Sequence, residues 1–234
     1  MTALAPLAAA GAASSFMAWA VRGRSSQVFG RSVWRGPRNI PALALTFDDG
    51  PSETTPQILD ILSEYRIPAT FFQCGANVDR LPAIAREVAG RGHEIGNHSY
   101  SHPYFFLRSP AAIENDLRRA QESIANRTGS VPKWFRAPFG VRWFGLASAQ
   151  QKLHLTGVMW STIGYDWSRR ADEVVARLTA AASNGAILCL HDGRELGHNP
   201  DVRTTVETVR RLVPLLLERG YKFETIGRLI CPKI

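Results

Sequence analysis

Residues 42–51 of the chain read ALALTFDDGP, and this stretch decides the fold. A short apolar run ends in two acidic residues, Asp48 and Asp49, and a Gly-Pro pair then ends the extended segment. Such a run predicts a buried strand. Residues 55–66 follow as a predicted helix, with four aliphatic side chains on or near one face: Ile58, Leu59, Ile61 and Leu62.

The same alternation continues to residue 225. Further strands are predicted at 69–72, 93–96, 133–136, 155–160, 186–190 and 221–225, and helices at 81–91, 110–127, 143–152, 170–183 and 203–219. Strands that alternate with helices predict a parallel sheet covered by helices. About seven such units favour an α/β fold built as a distorted or incomplete (β/α) barrel. No Gly-x-Gly-x-x-Gly follows the first strand, so a dinucleotide-binding fold has no support.

Polar side chains follow five of these strands, at the point where each strand ends. In a barrel of this type the active site lies at the C-terminal ends of the strands, so we expect these side chains to share one rim. They are Asp48 and Asp49 after strand 42–47, His98 and His102 after strand 93–96, Arg136 at the end of strand 133–136, Asp166 after strand 155–160, and His191 after strand 186–190.

The spacing of His98 and His102 is compatible with a metal site. On a helical turn, both imidazoles would lie on one face, although histidines at this spacing are also common without a metal. One carboxylate of the Asp48/Asp49 pair would complete a three-ligand site with room for water. Consecutive strand residues point to opposite faces, so the other carboxylate would do different work, as a general base. The alternative is that the pair caps helix 55–66.

The positive charge of the chain is unevenly distributed. The chain carries 28 Lys and Arg against 20 Asp and Glu, a net charge of +8. Residues 1–39 hold five of the arginines and no acid, which leaves 23 basic against 20 acidic residues in the remainder. No basic stripe interleaved with aromatic residues is visible, so we expect no nucleic-acid partner. Three cysteines without C-x-x-C spacing argue against a disulfide framework.

We therefore predict two parts, an apolar and Arg-rich leader at 1–39 and a folded domain at 40–234. Residues 2–21 carry no charge but are rich in Ala rather than Leu, which makes a marginal membrane span at best. Three interpretations stay open: a weak uncleaved anchor, a degenerate signal sequence, or a helix that packs on the domain. Membrane association through residues 1–21 is one expectation. The location is predicted as secreted, periplasmic or membrane-associated, with a cytoplasmic one left open.

Five short motifs occur in order along the folded part. They are residues 46–51 (TFDDGP), 98–102 (HSYSH), 136–140 (RAPFG), 165–167 (YDW) and 188–192 (LCLHD). Together they resemble the ordered motifs of the polysaccharide deacetylases, the NodB-homology domain of carbohydrate esterase family four. The resemblance covers about residues 40–230 and identifies residues 40–234 as the catalytic domain.

The resemblance implies a metal centre and a general base. Asp49, His98 and His102 would hold one divalent metal, zinc in the first place, with cobalt, nickel, manganese or iron as alternatives. The metal would polarise the acetyl carbonyl and activate a water molecule. Asp48 would take the proton of that water, paired with and oriented by Arg136.

The resemblance also implies a general acid and the walls of a substrate pocket. His191 would protonate the departing amine, with Asp166 favouring its imidazolium form. The backbone N–H of Phe139 would hold the oxyanion, and Trp167 would wall the pocket for the acetyl methyl group. Cys189 stands where the family usually has Leu, and it is expected to alter the wall that the substrate touches. Phe139, usually Tyr, and Ile163, usually Asp, are two further departures.

The activity implied is hydrolysis of N-acetyl groups on a GlcNAc-containing glycan, by a monomeric enzyme. The glycan would be peptidoglycan, a chitin-like oligomer or poly-N-acetylglucosamine. One alternative keeps the chemistry and changes the substrate, to O-acetylated xylan or a lipid-linked sugar. Another is a catalytically silent protein that binds glycans on the same fold.

Overall fold

The structure is a computed structural model that describes residues 4–231, with side chains described from residue 11 onward. Its strands are β1 (Ser32–Val33), β2 (Ala42–Gly50), β3 (Thr70–Gln73), β4 (Glu94–Asn97), β5 (Trp134–Phe135), β6 (Thr156–Val158), β7 (Thr162–Ile163), β8 (Ile187–His191) and β9 (Lys222–Phe223). Its helices are α1 (Leu4–Arg22), α2 (Thr55–Glu64), α3 (Gly75–Arg80), α4 (Pro82–Gly90), α5 (Pro110–Thr128), α6 (Leu146–Lys152), α7 (Ala171–Ala181), α8 (Arg203–Glu218) and α9 (Ile226–Ile230). A 3₁₀ turn at Pro138–Gly140 lies between β5 and α6.

The strands form one parallel sheet in the order β1-β6-β5-β4-β3-β2-β8-β7, and β9 pairs with the start of β2. This sheet curls into a half-barrel surrounded by helices. The predicted incomplete barrel is therefore confirmed. Because all strands are parallel, their C-terminal ends meet at the same rim.

Strand β2 is the centre of the sheet. It pairs with β3 on one side and with β8 on the other, and all nine of its residues are buried. A strand covered on both faces by helices or by the rest of the sheet reads as a continuous apolar run, which explains residues 42–47. Its Leu43, Leu45 and Phe47 belong to a single large core cluster with the buried face of α2.

Two elements near residue 160 differ from the sequence prediction. The predicted strand 155–160 ends at Val158 as β6, and a separate short strand, β7, follows. β6 pairs with β5 and β1, whereas β7 pairs with β8, so the chain crosses from one part of the sheet to another in three residues. Asp166 therefore follows β7, and its assignment to strand 155–160 was wrong. The crossing places Asp166 next to the strand that carries His191.

The N-terminal segment is built into the domain from residue 20 onward. β1, inside the predicted leader, pairs with β6, and a small buried cluster joins the segment to the domain: Ala20, Val21, Phe29 and Val141. Among the residues described, no helix has the length and apolar character needed to cross a membrane. The division of the chain at residue 39 and the processing of the leader stay predictions.

Candidate active site

A cleft of about 1010 Å³ opens at the C-terminal ends of the strands. Seven of the ten predicted site residues line it: Asp48, Asp49, His98, His102, Phe139, Trp167 and His191. The other three are fully or almost fully buried and contact residues of that lining: Arg136, Asp166 and Cys189. The structure thus brings the side chains from five strand ends to one place.

The end of β2 presents both of its aspartates to this cleft. Regular strand geometry predicts that Asp48 and Asp49 point to opposite faces. The pairing of β2 with β3 shifts register between Asp48 and Gly50, and Asp49 has a φ of 70° in the left-handed region. The alternation is broken at this point, so the expectation of opposite faces was wrong and both carboxylates line the cleft.

Asp49 lies between the two histidines of the second motif. Its Oδ1 is 3.3 Å from Nε2 of His98 and 3.0 Å from Nε2 of His102. The histidines reach it from a loop with positive φ at Ser99 and His102, and not from the helical turn that their spacing predicted. The other oxygen, Oδ2, accepts a hydrogen bond from the backbone N–H of Glu195 at 2.9 Å.

This cluster has the chemistry of a cation site. Nδ1 of His98 is 2.8 Å from the carbonyl oxygen of Arg136, which can only accept, so Nδ1 carries the proton and the Nε2 lone pair of neutral His98 faces Asp49. A lone pair and a carboxylate oxygen at 3.3 Å repel unless a proton or a metal ion lies between them. One ligand atom from each of Asp49, His98 and His102 fits within 4.8 Å, so the three residues present are suited to a divalent ion.

The electrostatics of Asp49 agree with a cation site. Burial raises the pKa of this carboxyl group, but hydrogen bonds from protonated His102 and His98 outweigh burial and hold the pKa well below its usual range. A metal ion would take the place of those protons and favour the same ionised form. Asp49 is therefore an anion whenever the cluster holds positive charge.

Asp48 has a different partner. Its Oδ1 accepts a hydrogen bond from Nη1 of Arg136 at 2.7 Å, and the guanidinium is completely buried. Arg136 also donates to Oγ1 of Thr46 at 2.8 Å and lies 4.1 Å above the Phe72 ring. Atoms of Asp48, Cys189 and His191 also come within 4.8 Å of one another, but Arg136 already supplies the positive charge at that position. Asp48 is thus neutralised by a fixed cation, and Asp49 is not.

His191 faces the cleft from the end of β8 and is held by Asp166. Its Nδ1 is 2.9 Å from Oδ1 of Asp166, and its backbone N–H donates to Oδ2 at 3.0 Å. Thr205 donates to the same Oδ2 at 2.5 Å. Burial lowers the pKa of His191, but the charge and hydrogen bond of Asp166, with smaller contributions from Asp49 and Asp48, raise it to about 9. Nε2 is left free to act in the cleft.

Two of the predicted wall residues lie at the mouth of the cleft, and the third does not. Phe139 is half-exposed, has a φ of 56° and places its ring against His102 at 4.6 Å. Trp167 packs edge-to-face on His191 at 4.8 Å. Cys189 is fully buried, with Sγ 3.4 Å from Oδ2 of Asp48, so its predicted contact with substrate is wrong. The inward face of β8 at this position points beneath the base.

Several residues of the site were not predicted. Thr205 and Arg194 bind Asp166 from α8 and from the loop after β8, and neither belongs to a motif. Arg22, Met159 and Trp160 line the cleft, although only the aromatic character of Trp160 hinted at a sugar-binding wall. These contacts join residues far apart in sequence, so no local pattern marks them.

Comparison with known proteins places this geometry in a family. Residues 35–158 match the family model for polysaccharide deacetylase. The chain is 35% identical over 194 residues to a chitooligosaccharide deacetylase of Bradyrhizobium sp. (strain ANU 289), which covers 79% of this chain and 89% of that protein. It is 34% identical over 205 residues to a peptidoglycan-N-acetylglucosamine deacetylase of Bacillus cereus, with 86% and 93% covered.

Solved structures show the same relationship. The crystal structure of the Bc1960 peptidoglycan N-acetylglucosamine deacetylase superposes with a TM-score of 0.80 at 29% identity, over 85% of this chain and 92% of that one. BA3943, a CE4 family pseudoenzyme from Bacillus anthracis, superposes with a TM-score of 0.77 at 27% identity, over 85% and 68%. One fold thus carries active and inactive members. The family match over more than half of the chain, together with these relatives, shows that the chain belongs to the polysaccharide deacetylase family.

Proposed function

We propose that this protein is a metal-dependent hydrolase that removes N-acetyl groups from a GlcNAc-containing glycan. One observation carries the proposal. A cluster suited to a cation and a charged Asp–His pair line the same cleft, and a carboxylate neutralised by a buried arginine lies between them. Amide hydrolysis needs an electrophile, a base and an acid within reach of one carbonyl group, and this arrangement offers a candidate for each.

Asp49, His98 and His102 are the residues that would hold the metal. When bound, a divalent ion supplies Lewis-acid polarisation of the acetyl carbonyl and lowers the pKa of water. Two imidazoles and one carboxylate, with a position left for water, favour zinc, and cobalt, nickel, manganese and iron are the alternatives. The deacetylases of this family are metal-dependent, which supports the assignment.

Asp48 is the general base in this proposal. Arg136 occupies only Oδ1, and the thiol of Cys189 is a weak donor at 3.4 Å from Oδ2, so lone pairs remain for the proton of an attacking water molecule. The four contacts of Arg136, to Asp48, Thr46, the Val158 carbonyl and the Phe72 ring, prevent the guanidinium from turning away. Arg136 is therefore a positioning residue for the base.

His191 is the general acid. Asp166 accepts from Nδ1 and stabilises the imidazolium, so Nε2 carries a proton that can be given to the departing amine. The Phe139 backbone, in its left-handed conformation at the opposite side of the mouth, would present its N–H to the developing oxyanion. Trp167, half-exposed and packed on His191, would wall the acetyl methyl group.

The names of the relatives support the glycan as substrate. They are called peptidoglycan-N-acetylglucosamine and chitooligosaccharide deacetylases. Both names describe hydrolysis of an N-acetyl group on a glucosamine unit. A substrate of the cell wall would place the enzyme outside the cytoplasm, in a secreted, periplasmic or membrane-associated position.

Acetate release tests the proposal. The wild-type protein should release acetate from N-acetylglucosamine oligomers or from peptidoglycan, and metal analysis should find one divalent ion per chain. Asp48→Asn should lower kcat by about 10²–10⁴-fold, because it removes the base, and leave the bound metal in place.

A matched control removes a carboxylate elsewhere. Asp60 is a solvent-exposed residue of α2 that pairs only with Arg91, so Asp60→Asn should leave kcat within about twofold of wild type. Near-normal turnover by Asp48→Asn would show that the base is assigned wrongly. A folded, metal-loaded wild-type protein that releases no acetate from any acylated sugar would place the chain with the silent members of the family.

A further inference from the structure

The N-terminal segment contributes positive charge beside the cleft and no negative charge. Residues 20–38 contain five arginines and no acidic residue: Arg22, Arg24, Arg31, Arg35 and Arg38. Among the residues that the structure describes, none of the five has a carboxylate oxygen within 4.0 Å. Surface arginines usually find an acid nearby, so this group of unpaired cations is a feature to explain.

Arg22 lies in the cleft itself. It is part of the cleft lining, and Nη2 donates to the carbonyl oxygen of Phe139 at 3.2 Å. A guanidinium has five N–H donors in a planar fork. The side chain is exposed, so donors that the Phe139 carbonyl does not use face the space that a substrate would fill.

Arg24, Arg35 and Arg38 continue the charge away from the cleft. Arg24 donates to the carbonyl oxygen of Ser161, the neighbour of the cleft residue Trp160, and its guanidinium lies 4.8 Å above the Trp34 ring. Arg35 also lies over Trp34, at 5.4 Å. Burial and then the positive charges of Arg38 and Arg24 lower the pKa of Arg35, which shows that the three cations are close enough to repel.

Buried contacts fix this segment on the domain. Arg142 is 3% exposed, and its guanidinium donates to the carbonyl oxygens of Val21, Gly23 and Ser26 at 3.4, 2.5 and 2.7 Å. The repulsion between the arginines is therefore held in place by the fold, and it is relieved when an anion binds between them. A segment attached in this way is a wall of the cleft and not a free tail.

We propose that Arg22, Arg24, Arg35 and Arg38, the basic strip, bind carboxylates of an acidic glycan strand whose N-acetyl group lies in the cleft. The inference rests on the proposed function and names its substrate class: peptidoglycan, with carboxylates on its peptide stems and free lactyl groups, in preference to neutral chitin-like oligomers. Guanidinium groups pair with carboxylates through two parallel hydrogen bonds, which suits this ligand. Arg22 and Arg24 precede residue 35, where the match to the family model begins, so they add to what the family motifs provide.

The position of Arg22 favours a glycan over a membrane surface. Exposed apolar side chains on α1, among them Phe16 and Trp19, could contact lipid together with the same arginines. However, Arg22 bonds the Phe139 carbonyl inside a concave cleft beside the metal ligands, where a flat bilayer does not reach. Binding to lipid is therefore an outcome to be tested and not the proposal.

The experiment compares two substrates with full-length variants. Wild type, Arg22→Gln, Arg24→Gln and the double variant are assayed for acetate release from neutral N-acetylglucosamine oligomers and from soluble, uncrosslinked peptidoglycan strands. The ratio of kcat/KM for strands over oligomers should fall about two- to fivefold for each arginine removed, the range of an exposed ion pair. Raising the salt concentration should shrink the difference between wild type and variants.

Arg86 supplies the matched control. It is exposed on α4 and does not line the cleft, so Arg86→Gln removes the same charge without touching the strip. Its ratio should stay within about 1.5-fold of wild type, because an isolated exposed charge contributes little. An equal loss of ratio in Arg86→Gln would mean that net charge alone explains the preference.

The remaining outcomes each decide against the inference or against the proposed function. An unchanged ratio in the double variant overturns the basic strip as a substrate site, and so does an equal loss on both substrates. Loss of binding to vesicles of phosphatidylglycerol and phosphatidylcholine, with an unchanged ratio, would assign the strip to a membrane. If wild type releases no acetate from either substrate, the proposed function fails, and the affinity for fluorescent peptidoglycan strands then tests the strip without turnover.

Discussion

The two aspartate–histidine clusters of the cleft are built from the same residue types and differ in what they leave unsatisfied. Asp49 faces two imidazoles, and the Nδ1 proton of one of them is already committed to the Arg136 carbonyl. Asp166 faces one imidazole and also accepts from Thr205 and from the His191 backbone. The first cluster has more lone pairs than protons, and the second is complete with a single proton. Stoichiometry and neighbouring donors therefore decide that one cluster suits a metal and the other stores a proton.

Removing a ligand from the first cluster should have the largest effect. His98→Ala should abolish binding of the divalent ion and lower kcat/KM by about a thousandfold or more, because several kcal/mol of transition-state stabilisation depend on the ion. Metal analysis and acetate release measure both quantities. The control is His198→Ala in the exposed loop after β8, which should change neither. Retention of the ion by His98→Ala would contradict the cation site.

The proton of the second cluster should show itself in the pH profile. Asp166 contributes to raising the pKa of His191 above its ordinary 6.5, and the acid form is present below that pKa, so activity should fall as pH rises through it. A metal on Asp49 offsets the share that this carboxylate contributes, which places the alkaline limb between 6.5 and about 9. Asp166→Asn should move the limb down by at least about one pH unit and lower kcat at pH 8 by about tenfold.

A kcat/KM profile of wild type and Asp166→Asn checks this prediction, with the exposed Asp201→Asn as a control that leaves the limb in place. If the limb stayed at the wild-type pH, another group would have to supply the acid.

The smallest effect concerns the donor that completes the second cluster. Thr205→Val removes the hydroxyl at 2.5 Å from Asp166 and should lower the free energy of unfolding by about 1.5–3 kcal/mol, the range for a hydrogen bond to a charged group. Thr208, also buried on α8, has a hydroxyl without a partner in the described structure, so Thr208→Val should be neutral or stabilising. Denaturant unfolding of both variants measures the difference. Equal loss in both would show that burial of the hydroxyl, and not its bond to Asp166, matters at Thr205.

Much of the fold could be predicted because its signals are local. The run 42–47 predicted the strand that became the buried centre of the sheet, and helix 110–127 was found one residue longer as α5. Short or isolated elements were missed: β1, β7 and β9 have two residues each, and only β9 was expected. Two-residue strands carry no periodicity, since their existence depends on a neighbour that offers hydrogen bonds.

The residue types of the candidate site were also visible in the sequence, but their directions were not. A regular strand would have separated Asp48 from Asp49, and a register shift at Asp49 turned both to one cleft. A wall position was expected for Cys189, and β8 turns that side chain beneath Asp48. Direction depends on backbone conformation at single residues, which periodic patterns average over.

The sequence by itself determined that polar groups follow buried strands, and parallel strands bring such groups to one rim whatever the details of the loops. It therefore determined the family, the candidate ligands and the pairing of reactive residue types. Only the tertiary structure decided which atoms meet: that β7 lies beside β8 and brings Asp166 to His191, that Thr205 completes this pair, and that Arg22 enters the cleft 117 residues away from its partner Phe139. Contacts across such distances depend on packing, because no local preference of the chain contains them.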